Sequence, residues 1–160
     1  IALAHPDDYD ARANLMWAAS HAINGLVAAG SQPAWCVHPM EHELSAFYDI
    51  THGQGLAILT PVWMEFVLKK DPSTAENFAV YGRNVWEIAD DNNESAAKKA
   101  IEATRTFLFE TMELPANLRV VGIDSDEHFE VMAEKAAEGC VGCFVPLTKD
   151  DIVEIFRAAF

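Results

Sequence analysis

Three histidines cluster in the segment HPMEHELSAFYDITH, which covers residues 38–52. His38 and His42 stand four residues apart, so on one helix they would share a face with Cβ atoms roughly 6 Å apart. That spacing occurs in helical zinc sites, and neutral imidazoles suit zinc or ferrous iron. A histidine on a helix face is nevertheless more often structural than a ligand, so the pair alone indicates a metal site only weakly.

His52 can join the cluster only if the chain turns back on itself. On one continuous helix, His38 and His52 would be about 21 Å apart, which is too far to share an ion. The sequence favours a break after about Tyr48, because the potential cap Asp49 precedes two β-branched residues and a Gly-Gln-Gly segment. We therefore expect a short helix and a returning loop that bring His52 beside His38.

The residues around this cluster do not complete a metal site by themselves. Glu41, Glu43 and Asp49 lie close in sequence, but none of them is an obvious further ligand. Cys140 and Cys143 form the segment CVGC, which lacks the second cysteine pair of a zinc site and the neighbouring strand and helix of a redox motif. A loop of small side chains is the simpler interpretation of CVGC.

Composition limits the class of protein. The chain has 160 residues, of which 51% are hydrophobic, enough for one compact domain with a core. Its formal net charge of −14 argues against nucleic acid or an anionic membrane as a partner. No apolar run approaches the roughly 20 residues that span a bilayer. Three cysteines are too few for a disulfide framework and indicate a reducing, cytoplasmic setting.

Helical periodicity runs along most of the chain, and no pair of alternating segments indicates strands. Pro61 should kink its helix, Ser73 can cap the helix that follows it, and Thr148 with Asp151 forms a sequence typical of a capping box. The sequence therefore predicts an all-α bundle that forms a single domain over residues 1–160. The predicted helices cover residues 7–30, 38–48, 55–70, 76–89, 94–112, 125–139 and 148–160.

Three segments resemble the iron-containing (group III) alcohol dehydrogenase family, especially its butanol-dehydrogenase-like, NAD(P)H-dependent branch. They are DDYDARANLMWAASHAINGL, HPMEHELSAFYDITHGQGLAILTPVWMEF and, near the end, FVPLTKDDIVEIFRAAF. The resemblance implies the C-terminal all-helical domain, of dehydroquinate synthase-like fold, of a two-domain enzyme. In that family an N-terminal α/β domain binds the nicotinamide cofactor. The sequence starts at Ile1 and has no glycine-rich phosphate-binding segment, so we expect a fragment of a longer enzyme.

The resemblance also implies a role for each histidine of the cluster. The family holds a divalent metal, usually Fe²⁺ and sometimes Zn²⁺, with an Asp-x-x-x-His pair and two further histidines fourteen residues apart. Those two correspond to His38 and His52, which become the expected metal ligands. His42 corresponds to a histidine beside the nicotinamide and the reacting atoms, so it is the expected catalytic and cofactor-binding residue. The Asp-x-x-x-His pair is expected upstream of Ile1.

The implied reaction is reversible hydride transfer between a primary alcohol or aldehyde and NAD(P)H in the full-length enzyme, which is expected to be a homodimer. Phe47 and Trp63 would form an apolar wall that favours alkyl substrates. With half of the metal ligands absent, the fragment alone should bind metal poorly and be inactive. Two other interpretations stay open: a free-standing helical metal-binding or interaction module that uses all three histidines, and a helical scaffold without a site.

Overall fold

The computed structural model describes residues 1–31 and 33–160, and every regular element in these ranges is helical. The predicted all-α fold is confirmed. A 3₁₀ turn over Pro72–Thr74 and a π-helical turn over Phe107–Thr111 connect longer helices. The α-helices are α1 (Tyr9–Ile23), α2 (His38–Tyr48), α3 (His52–Lys70), α4 (Ala75–Val85), α5 (Asn93–Thr106), α6 (Phe129–Cys140) and α7 (Lys149–Ala159). Within the described ranges, no helix combines the length and the apolar character that crossing a bilayer requires.

The described chain groups into two compact units, Ile1–Pro33 and Ala34–Phe160. In the first unit, α1 begins after Asp8, whose side chain accepts a hydrogen bond from the amide of Ala11. No residue of α1 is buried, and every buried residue of the described chain belongs to the second unit. The single domain predicted over residues 1–160 stays a prediction.

The break between α2 and α3 lies where the sequence predicts it. α2 ends at Tyr48 because Asp49 adopts a left-handed backbone conformation, with φ of 52°. A three-residue connection then leads into α3, which begins at His52 rather than at Gly55. The predicted end of the helix after Tyr48 is confirmed, and it is this turn that reverses the chain.

Packing within the second unit fixes the orientation of α2. One side of α2 packs on α6 and another on α3, while α6 and α3 both pack on α7. Gly139 of α6 permits a close approach, since a Cβ atom there would lie 2.7 Å from Cγ of Pro39. The fully buried side chains of the core include Met40, Leu44, Ile58, Leu59, Phe129, Met132 and Phe156. The helix that carries two of the three clustered histidines is therefore anchored on two faces.

Several helix ends differ from the prediction. α1 ends at Ile23 rather than at residue 30, and α6 begins at Phe129 rather than at residue 125. Ser73 does not cap α4; it lies in the 3₁₀ turn and donates its amide to Asp71. The capping box at the start of α7 is confirmed, because Thr148 and Asp151 exchange both hydrogen bonds. The kink at Pro61 stays a prediction.

The cysteines are arranged differently from the expectation. Cys36 and Cys143 form a disulfide with Cα atoms 5.5 Å apart, a single crosslink where the sequence indicated reduced cysteines. The two residues are 107 positions apart in sequence, and only the packing of α2 on α6 brings their segments together. Cys140 is a buried free thiol at the end of α6, with its Sγ atom 3.5 Å from the carbonyl oxygen of Cys36.

Candidate metal centre

The turn between α2 and α3 brings the three clustered imidazoles together. The ring centroid of His52 lies 5.3 Å from that of His38 and 5.5 Å from that of His42. The centroids of His38 and His42 are 5.9 Å apart on α2. The expectation that the chain returns after Tyr48 and places His52 beside His38 is confirmed.

These distances fit a shared divalent ion. Two imidazoles that bind one ion through bonds of about 2.1 Å place their ring centroids roughly 5 Å apart. The separation of His38 and His52 meets this condition, and so do the two separations that involve His42 within less than an ångström. The ring separations alone do not distinguish among the three histidines as ligands.

A carboxylate that the sequence interpretation set aside lies beneath the imidazoles. Glu41 is fully buried, and its Oε2 atom is in hydrogen-bond contact with Nδ1 of His52. Its Oε1 atom accepts a hydrogen bond of 2.5 Å from the hydroxyl of Ser45. One potential ligand atom from each of Glu41, His42 and His52 lies within 4.8 Å of the others. One sequence signal could have found Glu41: it is three residues from His38 and four from Ser45, so all three share a helix face.

The protonation of His38 suits a metal ligand. Its pKa lies below the ordinary value for histidine, first because the ring is partly withdrawn from water, and then because His52 and His42 would repel a positive charge. Glu41 acts in the opposite direction and does not cancel these effects. His38 is therefore neutral at neutral pH, the form in which imidazole binds metals.

An open cleft of about 290 Å³ adjoins His38. Trp35 stands edge-on to the His38 ring, with centroids 4.6 Å apart. Trp63 belongs to the lining, as expected, but Phe47 does not: its ring lies 5.2 Å from that of His128 and beneath the Lys135 ammonium. The lining consists of Ala34, Trp35, Cys36, Val37, His38, Leu56, Thr60 and Trp63.

A second, larger cleft of about 600 Å³ begins at Gly53, the residue after His52. It shares Leu56 and Thr60 with the smaller cleft, so both border the same side of α3. The rest of its lining is mostly apolar and comes from α3, α4, α5, the π-helical turn and the residues that follow α4 and this turn: Ala57, Tyr81, Val85, Trp86, Thr104, Phe107, Leu108 and Leu114. An apolar chain attached to a group at the histidine cluster would find apolar surface in this direction.

Glu43 and Asp49 lie outside the cluster, in agreement with the sequence interpretation, and so do His21 and His5. Glu43 faces Lys135, with 3.7 Å between Oε2 and Nζ, and Asp49 forms the cap of α2. His21 packs against Trp17 of its own helix, with ring centroids 4.3 Å apart. His5 is exposed. The histidine cluster and Glu41 thus stand apart from the remaining ionisable groups of this part of α2.

The fold and the site define an all-helical domain with an imidazole-rich candidate metal centre at a helix–helix turn. The model of the Fe-containing alcohol dehydrogenase family, C-terminal part, matches residues 1–160. The chain belongs to this family, and the resemblance inferred from its sequence is confirmed.

Relatives and solved structures agree with this assignment. NADH-dependent butanol dehydrogenase A from Clostridium acetobutylicum is 49% identical over 164 residues, which cover 100% of this chain and 41% of that protein. The NADPH-dependent aldehyde reductase YqhD from Escherichia coli is 41% identical over 124 residues, 77% of this chain and 31% of that protein. The crystal structure of NADH-dependent butanol dehydrogenase A from Thermotoga maritima superposes with a TM-score of 0.83 at 35% identity, covering 99% of this chain and 41% of that one. The chain thus spans about two fifths of the length of these butanol dehydrogenases.

Proposed function

We propose that the chain is the metal-binding C-terminal domain of an NAD(P)H-linked alcohol dehydrogenase. The parent enzyme would transfer hydride reversibly between a primary alcohol or its aldehyde and the nicotinamide. The observation that carries this proposal is the convergence of His38 and His52 at the α2–α3 turn, with centroids 5.3 Å apart. It is supported by relatives that are NADH-dependent butanol dehydrogenases and an NADPH-dependent aldehyde reductase.

In this proposal His38 and His52 are the two metal ligands that the chain contributes. His38 is the first residue of α2 and His52 is the first residue of α3, so each is presented by the start of a helix. When bound, the divalent metal, Fe²⁺ in first place and Zn²⁺ as the alternative, would act as a Lewis acid on the substrate oxygen. The remaining ligands would come from the Asp-x-x-x-His pair expected upstream of Ile1.

His42 is assigned the proton-transfer role. It is exposed on the same side of α2 as His38, and its ring stacks at 29° on that of His52. A ring nitrogen of His42 would accept the hydroxyl proton during alcohol oxidation and return it during aldehyde reduction, as a general base and acid. The family resemblance implies that His42 also lies beside the nicotinamide, which would make it a cofactor contact.

The clefts along α3 support an alkyl substrate. The larger cleft begins beside His52 and is lined mainly by aliphatic and aromatic side chains. A short primary alcohol would leave its oxygen at the histidines and its hydrocarbon chain against Leu56 and Trp86. This arrangement excludes water from the apolar end of the substrate and favours alkyl groups over polar ones.

The proposal assigns the rest of the activity to other parts of the enzyme. The nicotinamide cofactor would be bound mainly by an N-terminal domain, and the full-length protein would form a homodimer. A cytoplasmic location stays a prediction from composition, and the Cys36–Cys143 disulfide does not support it, because such bonds are typical of oxidising compartments.

Metal titration of the 160-residue chain tests the ligand count. With two of four ligands, we expect no tight stoichiometric binding of Fe²⁺ or Zn²⁺, and affinity several orders of magnitude below that of a complete site. One tight site at a ratio of one ion per chain would overturn this part of the proposal.

A chimera tests the activity. Residues 1–160 would replace the matching C-terminal part of NADH-dependent butanol dehydrogenase A from Clostridium acetobutylicum, to which they are 49% identical. We expect metal-dependent oxidation of butanol with NAD⁺. In this chimera His38→Ala and His52→Ala should abolish metal binding, whereas His42→Ala should retain the metal and lower turnover. A chimera that folds and binds cofactor and metal but transfers no hydride would contradict the proposal.

The rival function is a helical metal-binding module that uses all three histidines, and the nearly equal ring separations favour considering it. This module would bind an ion in the isolated chain. His42→Ala would then weaken metal binding as strongly as His38→Ala does. The same two variants therefore distinguish the two functions.

A further inference from the structure

We infer that Glu41 is a positioning residue that holds His52 as the Nδ1–H tautomer and so leaves Nε2 free to bind the metal. The metal part of this inference rests on the proposed function. The tautomer is a property of the metal-free chain and can be tested separately.

Burial of Glu41 is the first observation. Its side chain has no exposed surface, whereas the side chain of His52 remains 49% exposed. A carboxylate removed from water is strongly destabilised unless it is hydrogen-bonded. The buried Glu41 carboxylate therefore needs the hydrogen bonds that His52 and Ser45 provide. The Oε2 atom of Glu41 has His52 as its partner, and that contact reaches Nδ1 rather than Nε2.

Ser45 fixes the other oxygen of Glu41. Its hydroxyl lies 2.5 Å from Oε1 of Glu41 and 3.2 Å from the carbonyl oxygen of Ile50. A hydroxyl has one hydrogen to donate, and the shorter distance assigns it to the carboxylate. Both oxygens of Glu41 are therefore occupied, one by the helix it belongs to and one by His52.

Gly55 of α3 packs against the Glu41 side chain. A Cβ atom at this position would lie 2.7 Å from Cγ and 2.8 Å from Oε1 of Glu41. The backbone of α3 thus packs directly on the carboxylate and prevents it from turning away from Ser45. Glu41 is confined to a place where it can orient His52, and we infer that it does not itself bind the ion.

The chemical consequence follows from the single N–H of a neutral imidazole. An ionised carboxylate only accepts hydrogen bonds, so Nδ1 of His52 must carry the hydrogen and Nε2 must carry the lone pair. Metal-binding histidines commonly have such a carboxylate behind them, and removal of this partner costs typically 10–100-fold in metal affinity. Glu41 would orient the ring and select the nitrogen in the same way.

The tautomer is measured by ¹⁵N NMR of the metal-free 160-residue chain labelled at histidine, at a pH where His52 is neutral. In the wild type we expect the signal of a protonated Nδ1 and an unprotonated Nε2 for His52. Glu41→Leu replaces the hydrogen-bond acceptor with an apolar side chain of similar size. In this variant the tautomer population of His52 should shift toward Nε2–H. The matched control is Glu43→Leu on the same helix, which should leave the His52 signals unchanged. A wild-type spectrum with the hydrogen on Nε2 would overturn the inference, and that spectrum needs no variant to fold.

Zn²⁺ titration of the chimera described above, which supplies the ligands that residues 1–160 lack, tests the metal part. The chimera with Glu41→Leu should bind Zn²⁺ 10–100-fold more weakly than the chimera with Glu43→Leu. If the tautomer of His52 shifts as expected in the 160-residue chain but no form of the chimera binds Zn²⁺, positioning stands and the metal centre of the proposed function fails. If the tautomer of His52 is the same in Glu41→Leu as in the wild type while circular dichroism shows an intact fold, the positioning role fails.

Discussion

Cys140 carries a thiol whose reactivity is suppressed by its surroundings. Burial raises its pKa to about 11, and only the thiolate is an effective nucleophile. We expect the native chain at pH 8 to react with a thiol reagent such as DTNB far more slowly than the chain unfolded in denaturant, where one thiol per chain should react. Cys140→Ser is the control and should abolish the signal in both states. Rapid labelling of the native wild type would contradict this assignment.

Gly55 should be intolerant of even one added carbon. A Cβ atom there meets the confined Glu41 side chain, so Gly55→Ala must displace either the carboxylate or α3. We expect a loss of about 1–3 kcal/mol in the free energy of unfolding, as for overpacked cores. Urea denaturation followed by circular dichroism measures it.

Gly53 offers a matched control for this substitution. It lies two residues earlier on α3, and a Cβ atom there would meet nothing within 4 Å. Gly53→Ala should leave stability unchanged or raise it by up to about 1 kcal/mol, because alanine favours the helix. Equal effects of the two substitutions would show that contact with Glu41 is not the cause.

The histidine cluster and Glu41 show how much of the candidate site could be predicted from the sequence. The proximity of His38 and His52 depends on a local break, and Asp49 and the residues after it carry that signal. The contact between Glu41 and His52 depends instead on how α3 leaves the turn and on the missing Cβ atom of Gly55. Such a contact follows from three-dimensional packing, so residue spacing alone could not predict it.

At the scale of helices, Asp90 joins the end of α4 to the start of α5. Its carboxylate accepts hydrogen bonds from Lys99, Ser95 and the amide of Asn92. These bonds, that of Lys99 first, lower the pKa of Asp90 to about 2. Because the folded-state pKa is below the ordinary aspartate value, the ionised group stabilises the fold above about pH 4, and this contribution is lost as the pH falls toward 2.

Asp90→Asn should therefore lower the melting temperature at pH 6 and lose this difference from the wild type near pH 2. Thermal unfolding measured across this pH range gives the result. Asp91→Asn, a change at the exposed neighbouring position, is the control and should follow the wild type throughout. A melting-temperature difference between Asp90→Asn and the wild type that is constant from pH 6 to pH 2 would contradict the role of the charge.

Helix ends differ in how well local sequence determines them. Thr148 and Asp151 satisfy each other's backbone amides, so the start of α7 is encoded within four residues and was predicted correctly. The start of α6 is not encoded locally: Ser125 is followed by acids that suit a first turn, yet the helix begins at Phe129. Phe129 is fully buried against Phe156, with ring centroids 5.4 Å apart, which is a tertiary contact that local propensity does not contain.

At the scale of the whole molecule, the candidate site belongs to one unit. All three clustered histidines, Glu41 and both clefts lie within residues 34–160. The helical class could be predicted because periodicity and capping signals recur along the entire chain. The grouping into two units could not, since α1 has apolar residues such as Trp17 and Met16 that suit a core but are exposed in the structure.

The Cys36–Cys143 disulfide constrains the second unit as a whole. It closes a segment of the chain 107 positions long, and a crosslink of this span restricts the unfolded chain far more than the folded one. We expect reduction with dithiothreitol to lower the free energy of unfolding by about 2–5 kcal/mol, measured by urea denaturation of the 160-residue chain. The double variant Cys36→Ser with Cys143→Ser should be as unstable as the reduced wild type and insensitive to dithiothreitol. Coincident unfolding curves for the oxidised and reduced wild type would contradict this prediction. A crosslink of that span must restrict the unfolded chain, so identical curves would mean that the disulfide does not form in solution.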